Sequence, residues 1–151
     1  MKYLFDADAI SLLYHNKQRS EKISILKKLR ILQDSDQLFV SVLTFFELEY
    51  SITNTSDLLK KQELRNTLEH LKYRSNFSSL PIREDMAYLY GEIKCTLKQK
   101  GKISRENIKK FNIDIMIAST ALYEGCIVVS GDEIYHKISK HKPELQTECW
   151  W

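Results

Sequence analysis

The sequence predicts an α/β protein, a three-layer sandwich whose central, mostly parallel β-sheet is flanked by helices. Short apolar runs alternate with helical patterns along the chain, and two acidic residues directly follow such runs. Of 151 residues, 43% are hydrophobic, enough for a real core, while only 4 Gly and 2 Pro argue against a long flexible linker. We therefore expect one domain over residues 1–151.

The predicted elements follow in a regular order. Short apolar runs predict strands at 2–5, 37–40 and 126–129, and weaker extended segments lie at 77–82 and 145–149. Helical spacing predicts helices over 7–15, 21–33, 42–52, 57–76, 84–100, 113–124 and 132–138. Ser41 and Asn112 are expected to cap two of these helices, and Gly125 is expected to end one.

Four carboxylates stand where the local pattern calls for apolar residues. Asp6 and Asp132 follow predicted strands, whereas Glu47 and Asp114 lie on apolar helix faces. Carboxylates are rarely buried unless they are paired or bound to a cation. Because working groups gather beyond the carboxyl ends of parallel strands, we expect these four side chains to converge in one pocket.

Such a cluster favours a divalent cation, since like charges in contact cannot all ionise alone. Oxygen ligands favour Mg²⁺ or Mn²⁺, either of which can activate water and clamp a phosphoryl oxygen. The expected chemistry is phosphodiester or phosphomonoester hydrolysis. Two alternatives stay open at this point: Asp6 and Asp132 could be helix caps, and Lys110 could pair with Asp114.

These motifs together resemble the PIN domain, and specifically the VapC-type ribonuclease toxins of bacterial and archaeal toxin–antitoxin pairs. The resemblance covers essentially the whole chain. It lies in Lys2-Tyr3-Leu4-Phe5-Asp6-Ala7-Asp8-Ala9-Ile10, in Ser41-Val42-Leu43-Thr44-Phe45-Phe46-Glu47-Leu48, in Gly101-Lys102-Ile103 with Asp114-Ile115-Met116-Ile117-Ala118, in Val129-Ser130-Gly131-Asp132 with Tyr135, and in Leu145-Gln146-Thr147-Glu148 with a terminal Trp.

The resemblance implies a metal-dependent endoribonuclease in which activated water attacks phosphorus and leaves a 5′-phosphate. It also implies a cognate VapB-type antitoxin whose tail covers the site, and a homodimer. The implied ligands of Mg²⁺ or Mn²⁺ are Asp6, Glu47, Asp114 and Asp132. Residues expected to support those ligands are Asp8, which could instead be a helix cap, and the hydroxyl-bearing Thr44 and Ser130.

Basic residues are available to hold an RNA backbone. The net charge of +3 permits a nucleic-acid partner without arguing for one. Phosphate contacts from a basic cluster before Asp114 would give salt-dependent affinity, although a solvated helix face is the alternative. The cluster consists of Lys98, Lys100, Lys102, Arg105, Lys109 and Lys110.

Composition and motifs also bear on location and on rival functions. Three cysteines without CxxC spacing favour reduced thiols in a cytoplasmic protein, and no apolar run approaches the length of a membrane span.

One rival function is a haloacid-dehalogenase-like phosphatase, because Asp6-Ala7-Asp8 resembles the Asp-x-Asp motif that follows a strand in that family. This function assigns no role to Glu47. A second is a non-catalytic PIN-like RNA-binding module. A third treats the carboxylates as structural ion-pair partners.

Overall fold

Five parallel strands form the central layer. The computed structural model describes residues 1–15 and 19–151, and its strands are β1 (Lys2–Phe5), β2 (Gln37–Ser41), β3 (Phe77–Leu80), β4 (Ile127–Val129) and β5 (Thr147–Glu148). Their order across the sheet is β3-β2-β1-β4-β5, and every neighbouring pair is parallel. The predicted parallel sheet is confirmed, with the two weak segments at its edges.

Seven helices accompany the sheet in the described ranges. They are α1 (Ala7–Tyr14), α2 (Ser20–Arg30), α3 (Val42–Asn54), α4 (Leu58–Tyr73), α5 (Ala87–Gln99), α6 (Asn112–Glu124) and α7 (Glu133–His141). Short 3₁₀ turns at Glu84–Met86 and Asn107–Phe111 precede α5 and α6. The predicted helix over 84–100 therefore begins as a 3₁₀ turn and becomes α-helical only at Ala87. In the described part of the chain, no helix has the length and apolar character needed to cross a membrane.

The two faces of the sheet carry separate apolar cores. Alternate side chains of a strand point to opposite faces, so Tyr3 and Phe5 pack with α1–α4 while Leu4 packs with α5–α7. Phe5 is fully buried, which is worth about 1.5–3 kcal/mol for a side chain of its size. Trp150 covers the first core with edge-on contacts to Tyr3 and Phe5. This arrangement is the predicted three-layer sandwich.

Local signals set several helix ends. The Ser41 hydroxyl accepts a hydrogen bond from the Leu43 N–H at 3.2 Å and caps α3, as predicted. Gly125 ends α6 with a left-handed φ of 67°. The prediction that Asn112 caps α6 is wrong, because Asn112 is already helical and its side chain bonds to α5 instead.

The strand order defines where a site can form. From β1, the chain first adds β2 and then β3 on one side of the sheet. It later adds β4 and then β5 on the opposite side of β1. Such a reversal of strand order opens a crevice beyond the carboxyl ends of the two central strands. Asp6 follows β1 directly, and Asp132 follows β4 after Ser130 and Gly131. Both acidic residues therefore lie at this crevice.

Candidate active site

Five carboxylates face one another at the crevice. Asp6 is repelled by Asp8 and Asp132. Glu47 is repelled by Asp114 and Asp8, and Asp114 is repelled by Asp132 and Asp8. The four residues singled out from the sequence are thus brought together from four separate stretches of chain. Asp8 joins them as a fifth charge, exposed on the first turn of α1.

Asp6 is the most buried of these carboxylates, at 5% exposure. One oxygen accepts the Ala9 N–H at 2.8 Å and so caps α1; the other accepts the Ser130 hydroxyl. Burial raises the pKa of Asp6 to about 7, against the opposing effect of these two hydrogen bonds. The capping alternative is therefore correct for Asp6, and the same carboxyl still reaches the cluster. Asp8 is consequently not the cap.

Glu47 and Asp114 enter the crevice from the middle of α3 and the first turn of α6. Burial, followed by the nearby Asp114 and Asp8, raises the pKa of Glu47 to about 7. Burial and Asp132 raise the pKa of Asp114 to about 6. Within the described ranges neither carboxylate forms an ion pair. The proposed pair of Lys110 with Asp114 is therefore wrong, and so is the third rival's idea that ion pairs account for the carboxylates.

Asp132 occupies the N-cap position of α7, but its side chain makes no capping bond. Its backbone N–H donates to the Ser130 hydroxyl oxygen at 3.0 Å, and Ser130 in turn donates to Asp6. The capping alternative is wrong for Asp132, whose exposed carboxylate remains available at the rim. The Ser130 hydroxyl thus links the two acidic loops by hydrogen bonds.

Two buried hydroxyls in the described residues lack hydrogen-bond partners: Tyr135 and Thr44. Burial raises the pKa of the Tyr135 hydroxyl well above its usual range. Repulsion of the ionised hydroxyl by Asp6, Glu47, Asp114 and Asp132 raises this pKa further. The Tyr135 hydroxyl lies close enough to Asp114 to lower the pKa of the Asp114 carboxyl, although the two groups form no hydrogen bond of ordinary geometry. A buried unpaired hydroxyl costs about 1–3 kcal/mol, so this interior is suited to bound water or ligand oxygen.

The donor set fits a hard divalent ion. It contains only carboxylate and hydroxyl oxygens, and the mutual repulsion among the carboxylates is what a cation would relieve. In residues 1–15 and 19–151, no three Asp, Glu, His or Cys side chains are arranged to hold a metal ion directly between them. Mg²⁺ keeps several of its waters and needs only one or two direct carboxylates, so the donor set does not have to supply three direct ligands.

The family model of the PIN domain matches residues 3–141. The chain belongs to the PIN domain family. No curated protein matches the chain.

Solved structures extend the likeness of this PIN domain to whole chains. VapBC2 from Rickettsia felis, bound to a promoter DNA fragment, is similar with TM-score 0.75 and 22% identity over 100% of both chains. VapBC-1 from nontypeable Haemophilus influenzae has TM-score 0.72 and 22% identity, covering 99% of this chain and 98% of its own. VapBC-5 from Mycobacterium tuberculosis, of the VapBC toxin-antitoxin systems, has TM-score 0.66 and 17% identity over 98% of each chain. At these identities the likeness establishes the fold.

None of the six basic residues predicted to bind RNA is among the groups that shift the pKa of Asp6, Glu47 or Asp114. Lys98 is in the last turn of α5, and Lys100, Lys102 and Arg105 follow in the exposed connection to the next 3₁₀ turn, which carries Lys109 and Lys110. Lys102 has a φ of 53°, uncommon for a residue with a side chain. The six basic residues do not all share one surface: Lys98, Arg105 and Lys109 line a common cavity, and the other three do not line it.

Proposed function

We propose that this PIN domain is a metal-dependent endoribonuclease, the toxin of a type II toxin–antitoxin pair. The observation that carries the proposal is the convergence of Asp6, Glu47, Asp114 and Asp132 with no cationic side chain paired to any of them in the described ranges. A site that collects negative charge without a basic partner is built for a cation. Asp6, Glu47, Asp114 and Asp132 would hold it.

Mg²⁺ or Mn²⁺, when bound, activates water and neutralises charge on the phosphate. The chain's own groups orient that chemistry. The Ala9 N–H and the Ser130 hydroxyl fix both oxygens of Asp6, so this carboxylate keeps one direction. The Tyr135 hydroxyl stands among the carboxylates as a neutral O–H donor. In the proposed reaction the water oxygen would join phosphorus while one of its protons passes to solvent. The bond from phosphorus to the 3′ oxygen would break, and that oxygen would take up a proton from solvent, leaving a 5′-phosphate and a 3′-hydroxyl.

The partners are part of the same proposal. The fold is shared with VapBC proteins along whole chains, which supports a VapB-type antitoxin as the cognate partner. A homodimer is proposed from the family resemblance. The absence of a membrane-spanning helix within the described residues is compatible with action on RNA in the cytoplasm. We also propose that residues 1–151 form a single domain.

Cleavage of total cellular RNA tests the proposal. Wild type is expected to cut RNA in Mg²⁺ or Mn²⁺ and to be inactive in EDTA, and mapped fragments should begin with a 5′-phosphate. Asp6→Asn should lose cleavage because it removes the most buried charge of the cluster, whereas Asp34→Asn, at an exposed carboxylate in a turn, should cleave normally. Metal-independent cutting, or an active Asp6→Asn protein, would contradict the proposal.

The same assay separates the rivals. The phosphatase alternative is disfavoured because Glu47, which it leaves idle, faces the same crevice, and because the matching family is the PIN domain. It would require release of phosphate from a small phosphomonoester. The non-catalytic module would require RNA binding without cleavage under every metal condition. Cleavage abolished by a single neutralised carboxylate excludes both.

A further inference from the structure

A second charged cavity lies outside the acidic crevice. It occupies about 430 Å³ between α5 and the 3₁₀ turn Asn107–Phe111. Its described lining contains four cations, Lys94, Lys98, Arg105 and Lys109, and no carboxylate. The remaining lining is uncharged and consists of Gly91, Cys95, Gln99 and Ile108. A cavity of this size is in the range that holds small organic groups.

The four cations of this cavity are not neutralised by the protein. Among the described residues none of them forms an ion pair, although Lys28, Lys72 and Arg83 elsewhere do. Lys94 is instead held by neutral groups: its Nζ donates to the Tyr90 hydroxyl at 2.6 Å and to the Asn112 side-chain oxygen at 2.8 Å. Gathering like charges around one cavity raises the local potential for an anion.

Glycine 91 provides an independent observation. It lies inside α5, where glycine is less favourable than alanine. A Cβ built there would meet nothing within 4 Å, so packing against neighbours does not require glycine. Gly91 also lines the cavity, and a larger side chain would fill its space. The glycine therefore preserves an opening at the expense of helix stability.

We propose that this cavity, here called the basic pocket, binds one nucleotide of an RNA strand, with its phosphate against the cations. The inference rests on the proposed function, because the strand is the substrate of the acidic crevice. Asn112 and Asp114 are two residues apart on α6, so their side chains leave on opposite sides of the helix. Since Asn112 holds Lys94 of the basic pocket, the pocket and the crevice lie against the same first turn of α6.

Binding of a fluorescein-labelled oligouridylate tests the pocket without requiring cleavage. Measurements use the whole wild-type chain in EDTA, with intact RNA verified on a gel. The triple variant Lys98→Gln, Arg105→Gln, Lys109→Gln removes three cations and leaves Lys94 with Tyr90 and Asn112. Each lost contact with single-stranded nucleic acid lowers the slope of log K against log salt by about 0.7. Because the basic pocket holds one phosphate, we expect a slope smaller by about 0.7 and affinity about fivefold weaker at ~0.1 M salt.

The matched control is Lys27→Gln, Arg65→Gln, Lys140→Gln. It removes the same charge at exposed positions on α2, α4 and α7 and should change affinity little, since charges beyond about 10 Å are screened. Gly91→Met blocks the cavity without removing charge. It should melt no lower than wild type, because Met favours helices, and should bind RNA about fivefold or more weakly.

Two exposed thiols report where the strand lies. Cys95 lines the basic pocket, whereas Cys149 lines a separate cavity beside Asp132. Oligouridylate should slow alkylation of Cys95 by iodoacetamide in wild type and not in the triple variant, as read by peptide mass spectrometry. Equal RNA affinity of triple variant and matched control, or protection of Cys149 without Cys95, overturns the pocket and leaves the nuclease proposal standing. Absence of RNA binding by wild type in EDTA also overturns the pocket, and the cleavage assay decides the nuclease proposal separately.

Discussion

The acidic crevice and the basic pocket collect charge of opposite sign in different surroundings. The crevice lies at strand ends, and burial raises the pKa of Asp6 and Glu47 to about 7. The pocket lies on the outer face of α5, where Lys98, Arg105 and Lys109 are exposed. Buried like charges are costly without a counter-ion, whereas exposed ones are tolerated through water and salt. The crevice is therefore suited to chemistry and the pocket to affinity.

The largest expected effect separates these two roles. Asp114→Asn should lower kcat for RNA cleavage by about 100-fold or more, because it removes a charge from the reacting site while RNA affinity in EDTA stays close to wild type. The pocket's triple variant should instead raise KM and leave kcat nearly unchanged. Steady-state kinetics on one RNA substrate measures both. A fall in kcat for the triple variant equal to that of Asp114→Asn would break the comparison.

The pH dependence of stability comes next in size. A carboxyl with a raised folded-state pKa stabilises the protein fully below its unfolded pKa, and this stability is lost as pH rises through the folded value. For Asp6, raised from 3.8 to about 7, the loss amounts to about 4 kcal/mol across pH 4–7. We expect the free energy of unfolding of the metal-free protein, from urea titrations, to fall over this window. Added Mg²⁺ or Mn²⁺ should reverse part of the loss.

Neutralising one charge should stabilise the metal-free protein. Glu47 is half-buried, and Glu47→Gln removes the cost of burying its charge as well as the repulsion from Asp114 and Asp8. At pH 8 we therefore expect a gain of about 1–2 kcal/mol in the free energy of unfolding after allowance for solvent screening. The matched control is Glu69→Gln, at an exposed position on α4. Thermal unfolding in EDTA measures both. A lower melting temperature for Glu47→Gln would show that the carboxylates do not repel one another.

Two glycines give the smallest effects, with opposite signs. Gly91→Ala should raise the free energy of unfolding by about 1 kcal/mol, since α5 is right-handed there and the added methyl meets nothing. Gly125→Ala should lower it by about 1–2 kcal/mol, because φ of 67° strains any residue with a Cβ. Equilibrium urea unfolding compares them. A loss of stability on Gly91→Ala would remove the reason for regarding Gly91 as a residue kept for the pocket.

The basic pocket was visible in the sequence only as a run of charges. Lys98, Arg105 and Lys109 belong to the predicted cluster, but Lys94 was missed because helical spacing does not say which face of α5 meets the 3₁₀ turn. Gly91 inside a strongly helical pattern was the available signal. Asn112 was assigned as a cap for a related reason: residue type predicts capping locally, while Tyr90 and Lys94, distant in sequence, decide its bonds.

Sequence alone determined the parallel sheet, the helices and the four acidic positions, because strand runs, helical spacing and carboxylates in apolar surroundings are local properties of the chain. Tertiary structure alone decided that the Tyr135 hydroxyl lies among the carboxylates, that Asp6 caps α1 while Asp132 caps nothing, and which cations share a cavity. These outcomes depend on distances between residues far apart in the chain, and those distances arise only when the layers pack.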